Sequence, residues 1–117
     1  MRFEIGIDAN DPEALAEFWC AVVGYSVGEF DPAGVYLDLV PPTDDLPVLY
    51  LQRVDEPKRA KNRVHLDLWV SDPEALIDLA VTLGAERVGP PRTGSAGGWW
   101  QVLVDPEGNE FCICRAA

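Results

Sequence analysis

The stretch Asn10-Asp11-Pro12-Glu13-Ala14-Leu15 returns almost unchanged as Ser71-Asp72-Pro73-Glu74-Ala75-Leu76, 61 residues further along a chain of 117. In each copy the aspartate is a natural helix N-cap, the proline suits the first helical position, and the glutamate favours the positive helix end. Helices are therefore predicted to begin near residues 12 and 73. The first carries Leu15, Phe18, Trp19 and Val22 at helical spacing and stops at Gly24; the second carries Leu76, Leu79, Ala80 and Leu83 and stops at Gly84.

Outward from these helices the period changes to two. Phe3-Glu4-Ile5-Gly6-Ile7-Asp8 precedes the first helix and His65-Leu66-Asp67-Leu68-Trp69-Val70 the second, each reading as a strand with one apolar face. The repeat offset pairs Glu4 with His65. Further strands are predicted at residues 25–29, 35–40 and 48–53, then at 86–89, 99–104 and 110–115. Asp31-Pro32-Ala33-Gly34 and Asp105-Pro106-Glu107-Gly108-Asn109 are turn sequences. The chain thus reads as one α+β domain of two βαβββ modules, residues 1–56 and 64–115. The polar, basic run 57–63 is taken as a solvated connector. Since a 60-residue copy is too small to cover both its helix and its sheet alone, the two are expected to share one core.

Composition narrows the function. Twenty acidic residues against nine basic ones give a formal charge of -11, which disfavours nucleic acid and anionic lipid as partners. No apolar run is long enough to span a bilayer, and the first residues lack a secretion-signal layout, so a cytoplasmic location is expected. Cys20, Cys112 and Cys114 are odd in number and badly spaced for a disulfide framework, so reduced, buried thiols are expected.

Strand alternation sorts side chains onto two faces. Phe3, Ile5, Ile7, Leu66, Leu68, Val70, Val102, Val104, Phe111 and Ile113 are assigned to the face under the helices. The opposite face receives Glu4, Gly6, Asp8, His65, Asp67, Trp69, Gln101, Leu103, Glu110, Cys112 and Cys114. A mostly antiparallel sheet curved around that face makes a trough of carboxylates, one histidine, thiols and aromatics, with Tyr50, Tyr36 and Trp100 completing its wall.

The paired βαβββ unit, the strand opening with His65 before Ser71-Asp72, the Ala-Glu-Phe-Trp helix ending in Val-Gly-Tyr, and the terminal Asp105-Pro106-Glu107-Gly108-Asn109 turn resemble the vicinal-oxygen-chelate superfamily. This is the group of glyoxalases, bleomycin-resistance proteins and extradiol dioxygenases, and the likeness is to its short glyoxalase-like branch. The resemblance covers essentially the whole chain and implies the glyoxalase/bleomycin-resistance/dioxygenase fold. It also implies a divalent-metal site (zinc, nickel, manganese or iron) with one ligand from the first and one from the last strand of each module. Those positions fall on Glu4, Tyr50, His65 and Cys112. Tyrosine and cysteine depart from the usual His, Glu or Gln, and Glu110 lies two residues before Cys112 as a substitute. The resemblance further implies a homodimer.

Three readings follow. In the first, the trough binds a small organic molecule without the full metal site. Asp8, Tyr50, Asp67, Trp69, Trp100, Gln101 and Cys112 line it, Trp99 adds flat surface, and the acidic lining favours a cation. In the second, the protein is a metal-dependent lyase or isomerase in which Glu4 and His65, with Cys112 or Glu110, hold the ion. In the third, the protein is a metal-free enzyme in which His65 or Glu110 acts as general base on a bound substrate and a neighbouring carboxylate orients it. The alternative for His65 is a wall residue hydrogen-bonded to Asp67 or Glu4. Residues 89–98 read as a loop, either a lid carrying Arg92 or an ordinary connector.

Overall fold

The computed structural model describes all residues 1–117 and divides into two compact units, Met1–Pro57 and Lys58–Ala117. Together they hold two helices and two open, mixed sheets. In the first unit, strand β1 (Glu4–Ala9) leads into helix α1 (Pro12–Val23), then β2 (Ser26–Phe30), β3 (Tyr36–Val40) and β4 (Val48–Arg53). In the second, β5 (Asp67–Trp69) leads into α2 (Pro73–Thr82), then β6 (Glu86–Arg87), β7 (Arg92–Thr93), β8 (Trp99–Val104) and β9 (Glu110–Arg115).

The two Asp-Pro-Glu-Ala-Leu copies do what their chemistry dictates. The Asp11 carboxylate accepts from the Ala14 N–H at 3.2 Å and Asp72 from the Ala75 N–H at 3.1 Å, so both cap a helix whose first residue is proline. Gly24 ends α1 in the left-handed conformation at φ 75°. Leu15, Phe18, Trp19 and Val22 are all buried, as their spacing predicts. Helix α2 departs from expectation. Its buried stripe is Pro73, Ile77 and Ala80, while Leu79 and Leu83 are exposed, so of the expected Leu76, Leu79, Ala80 and Leu83 stripe only Ala80 is fully buried and the packed face is rotated towards Ile77.

The sheets are arranged alike. The first runs β1-β4-β3-β2 and the second β5-β9-β8-β6, with β7 also on β8. In each unit the opening strand lies parallel to the last, β1 to β4 and β5 to β9, and the other pairs are antiparallel. The expected single curved sheet is therefore two sheets, of four and five strands. Parallel pairing of first and last strands needs a crossover, and the helix supplies it.

Two other expectations are corrected. Residues 89–98 are no plain loop: Arg92 and Thr93 pair with Trp100 and Trp99 in a hairpin closed where the Gly94 N–H donates to the Gly98 carbonyl at 2.8 Å. The connector 57–63 is not simply solvated, because from Lys58 onward it belongs to the second unit and is tied to β9.

Candidate functional site

In the first unit, β1 pairs Gly6 with Tyr50 and Asp8 with Gln52, while β3 pairs Asp38 with Tyr50 and Tyr36 with Gln52. Residues directly opposite share a face, so Gly6, Asp8, Tyr36, Asp38 and Tyr50 stand together. The other face, Leu37, Leu39, Leu49 and Leu51, is buried with the apolar stripe of α1. Tyr50 leans over Gly6: a Cβ at that glycine would lie 2.5 Å from the ring carbon Cζ. The Tyr36 and Tyr50 rings meet edge to face at 6.0 Å. Asp8, Tyr36 and Asp38 are exposed, and Tyr50 is half-buried. The Asp31 carboxylate fixes the start of β3 by accepting from the Val35 and Tyr36 N–H groups at 2.7 Å each. Those bonds, Tyr36 first, hold its carboxyl below the ordinary range. Glu4, at the start of this face, has a loose ion pair with Arg2 at 3.8 Å.

In the second unit, the parallel register sets Asp67 beside Cys112 and Trp69 beside Cys114. The antiparallel register then sets Val102 beside Cys112, Trp100 beside Cys114 and Val104 beside Glu110. His65 precedes β5, whose ladder is extended at both ends by the Cys112 N–H donating to Leu66 and the Val70 N–H donating to Cys114. The His65 ring nitrogen Nδ1 lies 3.1 Å from Asp67 Oδ1, with both side chains more than 40% exposed. The donor atoms of His65, Asp67 and Cys112 all fall within 4.8 Å of one another. Burial first, and then the neighbouring Asp67 charge, pushes the Cys112 thiol up to about 11. Cys114 is raised for the same two reasons.

The β8 assignment is corrected. Gln101 and Leu103 lie opposite Ile113 and Phe111 on the buried face, and Val102 and Val104 lie on the Cys112 side. Gln101 is satisfied there, its Nε2 donating to the Gly89 and Val102 carbonyls at 3.0 and 2.9 Å. It therefore does not line the polar face. Trp99 also leaves that face, since it shares the Gln101 side of the strand and carries the Arg115 guanidinium 5.4 Å over its ring. Trp100 lies opposite Cys114.

Glu110 is placed differently from a free base or spare ligand. Its Oε1 accepts from the Lys58 ammonium at 2.8 Å and its Oε2 from the Asn62 N–H at 2.8 Å. Burial pushes this carboxyl up, but the Lys58 hydrogen bond, the Asn62 N–H and the Lys58 charge outweigh it and leave the carboxyl below its ordinary value. Both oxygens are occupied, so Glu110 anchors the connector to β9. Lys58 and Asn62 had no sequence signal beyond the basic run itself. Asp67 was expected as lining, and its place between His65 and Cys112 comes from the β5–β9 register.

The sequence profile of a glyoxalase-like domain matches residues 4–114. No curated protein matches. Among solved structures, the chain is similar to a glyoxalase/bleomycin resistance protein/dioxygenase family enzyme from Burkholderia phytofirmans, at 20% identity over 97% of each chain and a TM-score of 0.79. It is also similar to a glyoxalase/bleomycin resistance protein from Albidiferax ferrireducens, at 18% identity over 97% of each chain with a TM-score of 0.71. A superfamily member from Sphaerobacter thermophilus matches at 18% identity over 98% of each chain, with a TM-score of 0.70. At these identities the likeness is one of fold. No helix is long and apolar enough to cross a membrane.

Proposed function

Because the chain belongs to the glyoxalase-like domain family, with the glyoxalase/bleomycin-resistance fold, we propose that it binds a small organic cation without the superfamily's four-ligand metal site. The observation that carries this reading is Tyr50. It stands where the first module's last-strand ligand belongs, and its ring is laid over Gly6, edge to face with Tyr36 and next to Asp38. A flat π-face with Asp38 opposite it and Asp8 on the same sheet face attracts an organic cation twice, through the ring quadrupole and through charge. The formal charge of -11 draws such a ligand in from a distance.

The remaining ligand positions support the same reading. A phenol binds a divalent ion poorly at neutral pH because it must first lose its proton. The Cys112 thiol, held near 11, keeps its proton there, and Glu110 is already engaged by Lys58 and Asn62. Trp69, 62% exposed and two residues from Asp67, offers a second aromatic surface beside a carboxylate.

The reading is tested by nuclear magnetic resonance titration of the full chain with benzyltrimethylammonium and related hydrophobic ammonium ions. Saturable shifts at the Gly6, Asp38 and Tyr50 amides are expected. Shifts confined to other residues, or none, would reject this face as the site.

A further inference from the structure

We infer that the ligand of the Tyr50 face is a dication, a linear molecule with a positive group at each end, which rests on the organic-cation reading above and narrows it.

The β1-β4-β3 register lays that face out as two rows, Gly6, Tyr50 and Asp38 in one and Asp8, Gln52 and Tyr36 in the next. Asp8 and Asp38 therefore stand at opposite corners, with Tyr50 on the inside. They are two strands apart and two residues out of step, which puts their Cα atoms about 12 Å from each other. A single ammonium group held against one carboxylate leaves the other without a counter-charge. A second cationic group on the same molecule supplies it, and the Tyr50 ring between the two offers flat apolar surface to the linker.

Nothing in the first unit neutralises these carboxylates. Both residues are exposed, and neither belongs to an ion pair. The unit's two basic residues are used elsewhere: Arg2 lies beside Glu4, and Arg53 lies over the Phe30 ring and donates to the Gly34 carbonyl. Gln52, the neighbour of Asp8 in its row, is neutral. Twelve acidic residues against two basic ones fall within Met1–Pro57, so this unit carries a formal -10 of the chain's -11. The field is thus concentrated on the unit that holds Tyr50, and its pull on a ligand grows with the ligand's charge. Once one end is bound, the other end acts at an effective concentration set by the linker, greatest where its length matches the span.

The test is calorimetric titration of the full chain, with chelator present and ionic strength fixed, using bis(trimethylammonium) alkanes of increasing chain length. Affinity should climb to an optimum at the length that spans the two carboxylates, about 10-fold or more above the ethane-bridged member, and fall beyond it. In Asp8→Asn and in Asp38→Asn that optimum should disappear. Near-ultraviolet circular dichroism checks that each variant is folded. Affinity that is flat or rises steadily with chain length, or an optimum that survives in Asp8→Asn, would overturn the dication. If benzyltrimethylammonium still binds and needs Tyr50, the organic-cation reading then stands without it. Absence of binding by every cation would reject both.

Discussion

The Tyr50 ring lies so close over Gly6 that a Cβ there would fall 2.5 Å from its Cζ and 2.6 Å from its hydroxyl oxygen. Glycine is needed at this position for close approach, not for an unusual backbone angle. The obstructing atoms are the far end of a side chain, so Gly6→Ala should move the ring and leave the fold nearly untouched. A stability change within about 1 kcal/mol is expected in thermal unfolding. Affinity for a hydrophobic cation should fall by roughly 10-fold, the size of one lost cation–π contact. Unchanged affinity would mean that the ring position is irrelevant.

The Lys58–Glu110 pair holds the connector to β9, with each side chain less than 20% exposed. Lys58→Met should destabilise the second unit by about 1–3 kcal/mol, as expected when a largely buried acceptor loses a charged donor. Glu110 has a folded-state pKa below its unfolded one, so its contribution is full above the unfolded carboxylate value and disappears as pH falls through the folded value. The stability gap between wild type and variant should therefore be large near neutrality and close in acid, below about pH 4. Urea unfolding across pH measures it, and a gap that persists in acid would contradict the assignment.

Asp105, 2% exposed, accepts from the Glu107 N–H at 2.8 Å, the Asn109 N–H at 3.0 Å and Asn109 Nδ2 at 2.9 Å. It builds the turn that delivers Glu110 to β9. Asp105→Ala is expected to cost about 2–3 kcal/mol, because three half-buried donors lose their acceptor together, and Asp105→Asn distinctly less. Denaturant midpoints of the two variants give the comparison.

The Cys112 thiol, pushed up to about 11 by burial and then by the Asp67 charge, should resist alkylation in the folded protein. At pH 8 about one such thiol in a thousand is ionised. Only the thiolate attacks, so modification should await unfolding. Mass spectrometry after brief iodoacetamide treatment, with and without denaturant, checks this. Rapid labelling of Cys112 in the native state would show that the thiol is neither so buried nor so protonated.

The helices and the repeat were legible because an aspartate cap, an N1 proline and a following apolar stripe are local signals, and both copies carry them. Strand β8 was not, for a specific reason. In Trp99-Trp100-Gln101-Val102-Leu103-Val104 apolar residues occur at both parities, so alternation cannot select a face. The single polar residue then pointed the wrong way, because Gln101 finds its partners inside. The role of Lys58 was equally hidden, since its partner Glu110 lies 52 residues away. The same limit applied to Asp67 and Cys112, which only the β5–β9 register brings together.

Calorimetric titration with benzyltrimethylammonium and its homologues reads out whether the acidic, aromatic face around Tyr50 binds an organic cation. The titration is done with chelator present, for the full chain and for Tyr50→Ala and Asp38→Asn. Saturable binding of at least one such cation at one site per chain is expected, weakened about 10-fold or more in Tyr50→Ala and weakened also by salt. No saturable binding across the series, or binding that Tyr50→Ala leaves intact, would contradict it.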